Sequence, residues 1–167
     1  EGGNVNQEEV FNNLLVMLFN EILDVEQKAL ITGSFKEISI NDMHIIDQIT
    51  AEIKAVEGVS LIDVDPGKAT NRTVVTMVGT PEEVCEAAFR AVKKASELID
   101  MKKHKGAHPR FGATDVCPLV PVSNITMEET VEYARALAKR IGEELNIPVY
   151  CYESAAFTPE RRNLATC

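Results

Sequence analysis

The sequence predicts an α+β fold in which helices pack on a mixed β-sheet. Runs of β-branched and apolar residues, typical of strands, alternate with segments whose apolar residues recur every three or four positions, typical of amphipathic helices. Two of the helical segments begin with a capping box, Thr80–Glu83 and Thr126–Glu129. No period of 20–50 residues repeats, and the length of 167 residues suits one domain, or one domain with an appendage.

The composition excludes several classes of protein. A hydrophobic content of 45% excludes wholesale disorder, and a net charge of −9 argues against a general nucleic-acid binder. The chain has no apolar run long enough to cross a membrane and no signal-peptide layout at its start, so we expect a cytoplasmic protein. The four cysteines have no paired spacing and are expected to be free thiols.

The first part of the chain differs in character from the rest. Residues 1–41 contain no proline, and their apolar residues recur at helical spacing, which predicts a helix over residues 7–31. We therefore expect an N-terminal helical segment, 1–41, followed by one domain, 42–167. The wide apolar face of this helix favours core packing first and a dimer-forming helix second. Its expected buried residues are Phe11, Leu14, Leu18 and Ile22.

The order of the remaining elements follows from their periods. The patterns predict a helix that Gly58 ends, strands over 59–65, 72–79, 114–122 and 147–152, and helices over 81–98 and 127–145. Pro66 and Gly67 predict a turn after the first of these strands. Pro118 and Pro121 make the third strand an edge strand or a broken one, because proline cannot donate to a ladder.

One loop concentrates reactive side chains. Between Ile99 and Ala113 the chain carries three lysines, one arginine and two histidines, His104 and His108. Dense cations beside a titratable imidazole suit an anionic substrate that needs proton transfer. A solvated basic loop is the alternative, and the spacing alone does not separate the two.

A second polar cluster follows the strand at 59–65. Asp63 and Asp65 are two residues apart on a strand, so they project to the same face and are able to hold an imidazolium or an amine. Asn71 and Arg72 follow the turn. The alternative is that aspartate is found here only because it favours strand ends and turns.

These two clusters and the C-terminal segment resemble one known family. The strings DVDPGKATNRTVVTMVG (63–79), IDMKKHKGAHPRFGATDVCPLVPV (99–122) and IPVYCYESAAFTPERRNL (147–164) are similar to the formiminotransferase family. The resemblance covers roughly residues 42–167 without obvious gaps. It implies the N-terminal subdomain of that family, an α+β sandwich of ferredoxin-like type with helices on one face of the sheet.

The resemblance also implies an activity and roles for named residues. A family member is a cytoplasmic enzyme of histidine degradation that transfers the formimino group of N-formimino-L-glutamate to tetrahydrofolate, without a metal. His108 matches the active-site histidine, a general base or acid, and Asp65 matches an aspartate that orients or stabilises the imidazole. Arg110 matches an arginine suited to gripping a substrate carboxylate, and Asn71 and Arg72, as expected neighbours of the site, are assigned to substrate binding with it. The expected partners are small molecules, with no nucleic acid and no membrane, in a homo-oligomer.

The sequence departs from the family pattern at three places. Ala107 stands where the family has glutamate, the chain stops just after Leu164 where a second subdomain would begin, and no counterpart of the family's opening strand is evident. Residues 4–49 instead resemble the opening helices of a MarR-type regulator. The expected protein is therefore a truncated formiminotransferase piece. The alternative is a non-catalytic module, derived from the folate enzyme or a MarR-like dimerisation element.

Overall fold

The computed structural model of the chain describes residues 13–20, 40–67, 71–103 and 111–167. The elements in chain order are β1 (Asn13–Asn20), α1 (Ile40–Lys54), β2 (Ser60–Gly67), β3 (Arg72–Gly79), α2 (Pro81–Leu98), β4 (Thr114–Val116), β5 (Leu119–Pro121) and α3 (Met127–Leu145). Three single 3₁₀ turns follow, at Glu153–Ala155, Pro159–Arg162 and Leu164–Thr166. The predicted α+β class is confirmed, and α2 and α3 have the bounds that their capping boxes and apolar periods predict.

The sheet has the strand order β2-β3-β1-β4. The short strand β5 also pairs with β1, at its residues 13–15, whereas β4 pairs with Leu18 and Phe19. Each of these pairings is antiparallel, so the expectation of a mixed sheet is wrong for the described strands. The reason lies in the connection through α2. The chain leaves β3, crosses in α2 and returns as β4 in the same direction, but β1 lies between the two strands and runs opposite to both.

The N-terminal helix predicted over residues 7–31 is wrong where the structure describes this stretch. Residues Asn13–Asn20 form β1, which pairs with β3 along its whole length, from Asn13 opposite Gly79 to Asn20 opposite Arg72. The remainder of 7–31 lies outside the described residues. A continuous apolar run cannot be assigned to a helix or a buried strand by periodicity alone, and here pairing on both sides decides for the strand.

The position of β1 also bears on the MarR-type resemblance. That resemblance implies helix over the stretch that forms β1, and the strand contradicts it there. The sequence shows no evident counterpart of the family's opening strand, but in the structure β1 occupies the centre of the sheet. The domain boundary between residues 41 and 42 stays a prediction.

The C-terminal half of the sheet is only partly as predicted. The strand expected over 114–122 is broken into β4 and β5 by Cys117 and Pro118, as its prolines predict. The strand expected over 147–152 is absent from the sheet in the structure, so that prediction is wrong. Pro148 lacks an amide donor, and the segment that follows is tied to α3 instead: Arg135 donates to the carbonyl oxygens of Ala155 and Ala156, both at 3.1 Å.

The hydrophobic core lies between the helices and one face of the sheet. In β3, Thr73, Val75 and Met77 are buried, whereas Val74 and Thr76 between them are partly exposed. The buried face meets apolar residues from all three helices, which include Ile46, Ile49, Ile53, Val84, Ala88, Val92, Leu137 and Ile141. Among the described residues the helices therefore pack on one face of the sheet, as expected, and the other face carries the polar side chains considered below.

Helices α2 and α3 are joined by charged side chains at their outer surface. Arg140 on α3 donates to Glu86 on α2 at 2.6 Å and to Glu144 at 3.0 Å, and its guanidinium lies 3.7 Å from the centre of the Phe89 ring. Arg90 donates to the other oxygen of Glu86 at 2.7 Å. Within the described part of the chain, no helix combines the length and apolar character needed to cross a membrane.

Candidate functional site

The polar corner of the molecule lies where β2 ends and β3 begins. Asp63 lies opposite Thr76 and Asp65 opposite Val74, and residues opposite each other on antiparallel strands share a face. Both carboxylates are exposed, whereas Val64 between them packs against the core. The prediction that Asp63 and Asp65 share a face is thus confirmed. This face is the one away from the helices.

A β-bulge sets the direction of these carboxylates. Leu61 pairs with Met77 and Asp63 with Thr76, so Ile62 is the extra residue on β2. The bulge lets Leu61 and Val64, three positions apart, both face the core, and it turns Asp63 outward. Bulges re-aim side chains next to functional sites, which is the effect seen at this strand.

The turn between β2 and β3 ends on a strained, buried residue. Asn71 has a φ of +54°, in the left-handed region, and its side chain is fully buried. Asparagine tolerates this conformation better than most residues. Because it is buried, Asn71 forms part of the packed interior at the start of β3 and not of the exposed surface of the corner. Residues 68–70, the tip of this turn, lie outside the described residues.

Arg72, the first residue of β3, forms an ion pair with Asp115 on β4. The guanidinium Nη1 lies 3.2 Å from Asp115 Oδ2, and the two side chains are only 13% and 5% exposed. The other carboxylate oxygen of Asp115 accepts the backbone N–H of Phe111 at 2.8 Å. Arg72 lies on the same face as Val74, two positions away, and therefore on the face of Asp65.

Asp115 belongs to this corner, although the sequence analysis does not single it out. In the pairing of β1 with β4, Leu18 lies opposite Val116 and Phe19 opposite Thr114, so Asp115 is the extra residue of a second bulge. Its signal was present in the sequence, because the string DVCP is part of the motif that follows His108. A lone aspartate in a short strand has no spacing that marks it. Asp115 is marked only by its contact with Arg72, which reaches it from β3 across the one intervening strand, β1.

The residues with the strongest motif evidence lie outside the described part of the chain. This holds for His108 and Arg110, and also for His104, so the structure tests neither their geometry nor the predicted approach of His108 to Asp65. The described residues resume at Phe111, which is 59% exposed. Of the predicted site residues, the structure brings Asp65, Asn71 and Arg72 together at one corner.

A cavity of about 870 Å³ lies between the C-terminal end of α2, β4 and the segment at 147–152. Asp115 and Phe111 line it, whereas Asp65, Asn71 and Arg72 do not. Its walls are largely apolar, with Met101 and the aromatic side chains of Phe111, Tyr150 and Tyr152 among them. The hydroxyl oxygen of Thr114 is buried and has no hydrogen-bond partner among the described residues. Aromatic walls with a few polar groups are typical of sites for small organic molecules.

Three of the four cysteines are not suited to act as nucleophiles. Cys85, Cys117, Cys151 and Cys167 are free, as predicted. Burial raises the pKa of Cys117 to about 12 and, with help from Glu82, that of Cys85 to about 11, and burial also raises the pKa of Cys151. These three thiols therefore remain protonated at neutral pH. No three histidine, cysteine, aspartate or glutamate side chains in the described ranges lie close enough together to hold a metal ion.

Comparison with known proteins adds independent information. The family model for the formiminotransferase domain, N-terminal subdomain, matches residues 39–167. The chain is 54% identical over 124 residues to formimidoyltransferase-cyclodeaminase of Mus musculus, covering 74% of this chain and 23% of that protein. It is 51% identical over 121 residues to glutamate formimidoyltransferase of Streptococcus pyogenes serotype M1, covering 72% of this chain and 40% of that protein. It is 47% identical over 120 residues to glutamate formimidoyltransferase of Thermoplasma acidophilum, again covering 72% of this chain and 40% of that protein.

Proposed function

Because the chain belongs to the family of the formiminotransferase domain, N-terminal subdomain, we propose that it forms the His108 side of a glutamate formimidoyltransferase site. The proposed reaction transfers the formimino group of N-formimino-L-glutamate to tetrahydrofolate and releases glutamate. The observation that carries this proposal is the similarity of residues 39–167 to a single family, with about half of the aligned residues identical to enzymes of that name. The chain spans 40% of the Streptococcus pyogenes relative, so the activity of a whole protein is itself part of the proposal.

The chemistry requires one proton to move in each direction. A folate nitrogen attacks the formimino carbon and loses a proton, and the nitrogen of glutamate gains one as its bond to that carbon breaks. An imidazole with a pKa near neutrality is able to accept the first proton and deliver the second. We assign this role to His108, which the family motif marks and which the sequence places among several lysine and arginine residues.

Asp65 is proposed to act on that imidazole. Its carboxylate is exposed at the end of β2 and lies on the open face of the sheet, away from the helices. A carboxylate beside a histidine orients the ring and stabilises its protonated form. The proposal is supported by the position of Arg72 on the same face, because Arg72 is tied through Asp115 to Phe111, three residues after His108.

The remaining predicted residues divide into two roles. Arg110 is proposed to grip a carboxylate of the substrate, since a guanidinium binds carboxylates through two parallel hydrogen bonds. Asn71 is fully buried and the guanidinium of Arg72 is paired with Asp115. We therefore assign Asn71 and Arg72 to holding the corner in place, although the resemblance first suggested that both contact substrate.

The co-substrate and the setting of the enzyme are part of the same proposal. We propose tetrahydrofolate as co-substrate, no metal, a cytoplasmic location, small-molecule partners without nucleic acid or membrane, and a homo-oligomer. A net charge of −9 disfavours a nucleic-acid partner. We also propose a domain boundary at residue 42. Residues 42–167 then form the subdomain, although β1 from the preceding segment completes its sheet.

A non-catalytic module is the second candidate, and Ala107 favours it. The family motif has glutamate at this position, directly before the active-site histidine, and a methyl group can neither accept a proton nor bind a cation. The form of this candidate that depended on a MarR-like helix is weakened by the strand at Asn13–Asn20. Replacing Ala107 with glutamate tests the remaining form, because a gain in formimino transfer would mean that the rest of the site is competent.

The proposed function is tested by titrating this chain with tetrahydrofolate, with and without N-formimino-L-glutamate, and by assaying a chimera. In the chimera, the matched part of the Streptococcus pyogenes enzyme is replaced by the matched part of this chain, so that the rest of the site is supplied. We expect saturable folate binding by the chain and formimino transfer by the chimera. If the chimera folds but neither binds folate nor transfers the group, the proposed function is wrong.

A further inference from the structure

The cavity between the C-terminal end of α2, β4 and the segment at 147–152 presents two exposed aromatic side chains. Its volume of about 870 Å³ lies within the range of small-molecule sites, about 300–1,000 Å³. Phe111 and Tyr150 both line it, and they are 59% and 53% exposed. Burying an aromatic side chain is favourable because its apolar area is large. The cavity therefore presents apolar surface that the described part of the chain leaves uncovered.

Both aromatic residues are anchored within the described part of the chain. Asp115 Oδ1 accepts the backbone N–H of Phe111 at 2.8 Å. The guanidinium of Arg161 lies 4.6 Å from the centre of the Tyr150 ring, and a cation over an aromatic face is attracted to it. Groups that are held in place before a ligand arrives lose less freedom when it binds. Two anchored aromatic residues in one wall are thus suited to contact a flat ring.

One polar group in the wall has no partner among the described residues. The hydroxyl oxygen of Thr114 is buried without a hydrogen bond, and Thr114 lines the cavity. Leaving a buried hydroxyl unsatisfied is unfavourable, and a hydroxyl is able either to donate or to accept. Tyr152 lies in the same wall, and burial raises the pKa of its phenol, which therefore stays a neutral donor and acceptor. A ring with nitrogen atoms or N–H groups offers partners to such hydroxyls.

The charges of the wall favour an uncharged ligand. Each of its three carboxylates in the described residues already forms an ion pair. These pairs are Asp115 with Arg72 at 3.2 Å, Glu97 with Lys94 at 3.2 Å and Asp100 with Lys103 at 3.7 Å. A cationic ligand would have to compete with those partners. An anionic ligand would meet Lys102, which is exposed to water, and an exposed ion pair contributes little.

We propose that this cavity binds an uncharged, planar nitrogen heterocycle, which contacts the rings of Phe111 and Tyr150 and forms a hydrogen bond with the hydroxyl of Thr114. Such a ring has two chemical sources, the pteridine of a folate and a free purine base. The inference goes beyond the proposed function, because it concerns binding in this cavity and requires no formimino transfer. Where the source is the pteridine, it also gives part of the co-substrate a place.

The test is isothermal titration calorimetry of the whole chain with three probes. Hydroxymethylpterin is a pteridine without a charged tail, and adenine is a purine base. The third probe, p-aminobenzoyl-glutamate, has a benzene ring and two carboxylates but no heterocycle. We expect saturable binding of a heterocycle at millimolar concentration or below and none of p-aminobenzoyl-glutamate under the same conditions. The heterocycle that binds more tightly identifies the source.

Three variants remove the proposed contacts one at a time. Phe111→Ala and Tyr150→Ala should each weaken binding of the heterocycle about tenfold, the usual effect of losing one aromatic contact with a base. Thr114→Val keeps the shape and removes the hydroxyl, so binding should weaken about fivefold to tenfold. The midpoint of urea unfolding should not fall in Thr114→Val, since a hydroxyl without a partner does not stabilise the free chain. Should an alanine variant not fold, leucine at the same position replaces it.

Phe157→Ala is the matched control. Phe157 is 72% exposed and lies outside the lining of this cavity, so its removal should leave the affinity unchanged. The inference is wrong if neither heterocycle binds, if p-aminobenzoyl-glutamate binds as tightly, or if any of the three variants keeps the wild-type affinity. An equal loss in Phe157→Ala would also overturn it, because binding would then lie elsewhere.

The inference and the proposed function fail in different ways. Binding of adenine that depends on Phe111 and Tyr150, in a chain that does not bind tetrahydrofolate, would keep the inference and count against the proposed function. Binding of tetrahydrofolate that neither alanine variant weakens would keep the proposed function and overturn the inference.

Discussion

The helical layer and the polar corner of this molecule are stabilised in different ways. The helical layer consists of α1, α2 and α3 on the buried face of β3, and it is held by apolar side chains with almost no exposed surface, such as Ile49 and Val84. The polar corner consists of the end of β2, the start of β3 and β4, and it is held by one buried carboxylate with two partners. Many small contacts hold the first region, and a few directed ones hold the second.

This difference has a consequence for mutation. A substitution in the helical layer removes contact area and leaves a cavity, so it lowers the free energy of unfolding without touching any reacting group. A substitution at the exposed part of the corner changes charge and orientation at little cost to stability, because surface changes are usually small in free energy. Stability and activity should therefore separate cleanly between the two regions, and the following predictions test that separation.

The largest expected effect is on activity in the His108 segment. His108→Ala in the chimera should lower the rate of formimino transfer by about 10²–10⁴-fold, the usual contribution of a general acid or base. The midpoint of urea unfolding should stay unchanged. His104→Ala is the matched control on the same loop and should keep the wild-type rate. If His108→Ala retains most of the rate, His108 is not the proton-transfer group.

The second effect is on stability in the helical layer. Ile49 on α1 is 0% exposed, and Ile49→Ala should lower the free energy of unfolding by about 2–5 kcal/mol, measured by urea denaturation. Asp65→Asn should have the opposite effects. It should lower the free energy of unfolding by less than about 0.5 kcal/mol because Asp65 is exposed, yet it should strongly reduce the rate of formimino transfer in the chimera. A large loss of stability in Asp65→Asn would break the proposed separation of the two regions.

The same two regions differ in how far the sequence predicts them. The bounds of α2 and α3 follow from signals a few residues apart: Thr126 accepts the N–H of Glu129, and Glu129 accepts the N–H of Thr126. The apolar residues of these helices recur at the helical period and are those that become buried. Local rules were sufficient here because the interactions that decide these elements are themselves local.

Elements decided by distant partners were predicted less well. The run at Asn13–Asn20 is compatible with helix or strand, and its pairing with β3, about 60 residues away in sequence, decides the outcome. The segment at 147–152 has a strand-like composition but no place in the sheet, and Arg135 holds the chain that follows it. Asp65 was predicted from its motif and stays a prediction as a site residue, whereas Asp115 was not singled out because its contacts arise only when Arg72 and Phe111 approach it.

A third prediction measures one local signal directly. Thr126→Ala removes the hydroxyl that accepts the Glu129 amide at 3.2 Å. The free energy of unfolding should fall by about 1 kcal/mol, the usual cost of an N-terminal cap. Thr126→Ser keeps the hydroxyl and is the control, with a loss close to zero. Equal losses in the two variants would show that the methyl group, and not the cap, stabilises the start of α3.

The smallest expected effect lies at the charged surface where α2 meets α3, and it depends on pH. Hydrogen bonds from Arg140 and then Arg90 lower the pKa of Glu86 below its ordinary value. A carboxylate with a lowered pKa in the folded state stabilises the fold at pH values above its ordinary pKa, and this stabilisation disappears as the pH falls through the lowered value. Arg140→Gln should raise the pKa of Glu86 towards its ordinary value and so reduce the dependence of stability on acid pH.

The measurement is urea unfolding of the wild type and Arg140→Gln between neutral pH and about pH 3, below the ordinary glutamate pKa. Because both side chains are about one-third exposed, solvent screening keeps the difference at neutral pH within about 1 kcal/mol. The two curves should converge as the pH falls, since protonated Glu86 no longer attracts Arg140. Lys139→Gln makes the same charge change one residue away, where the ion pair with Glu143 is far more exposed, and its curve should run parallel to the wild type. If Arg140→Gln also runs parallel, Glu86 and Arg140 do not act as a pair, and their ion pair does not stabilise the contact between α2 and α3.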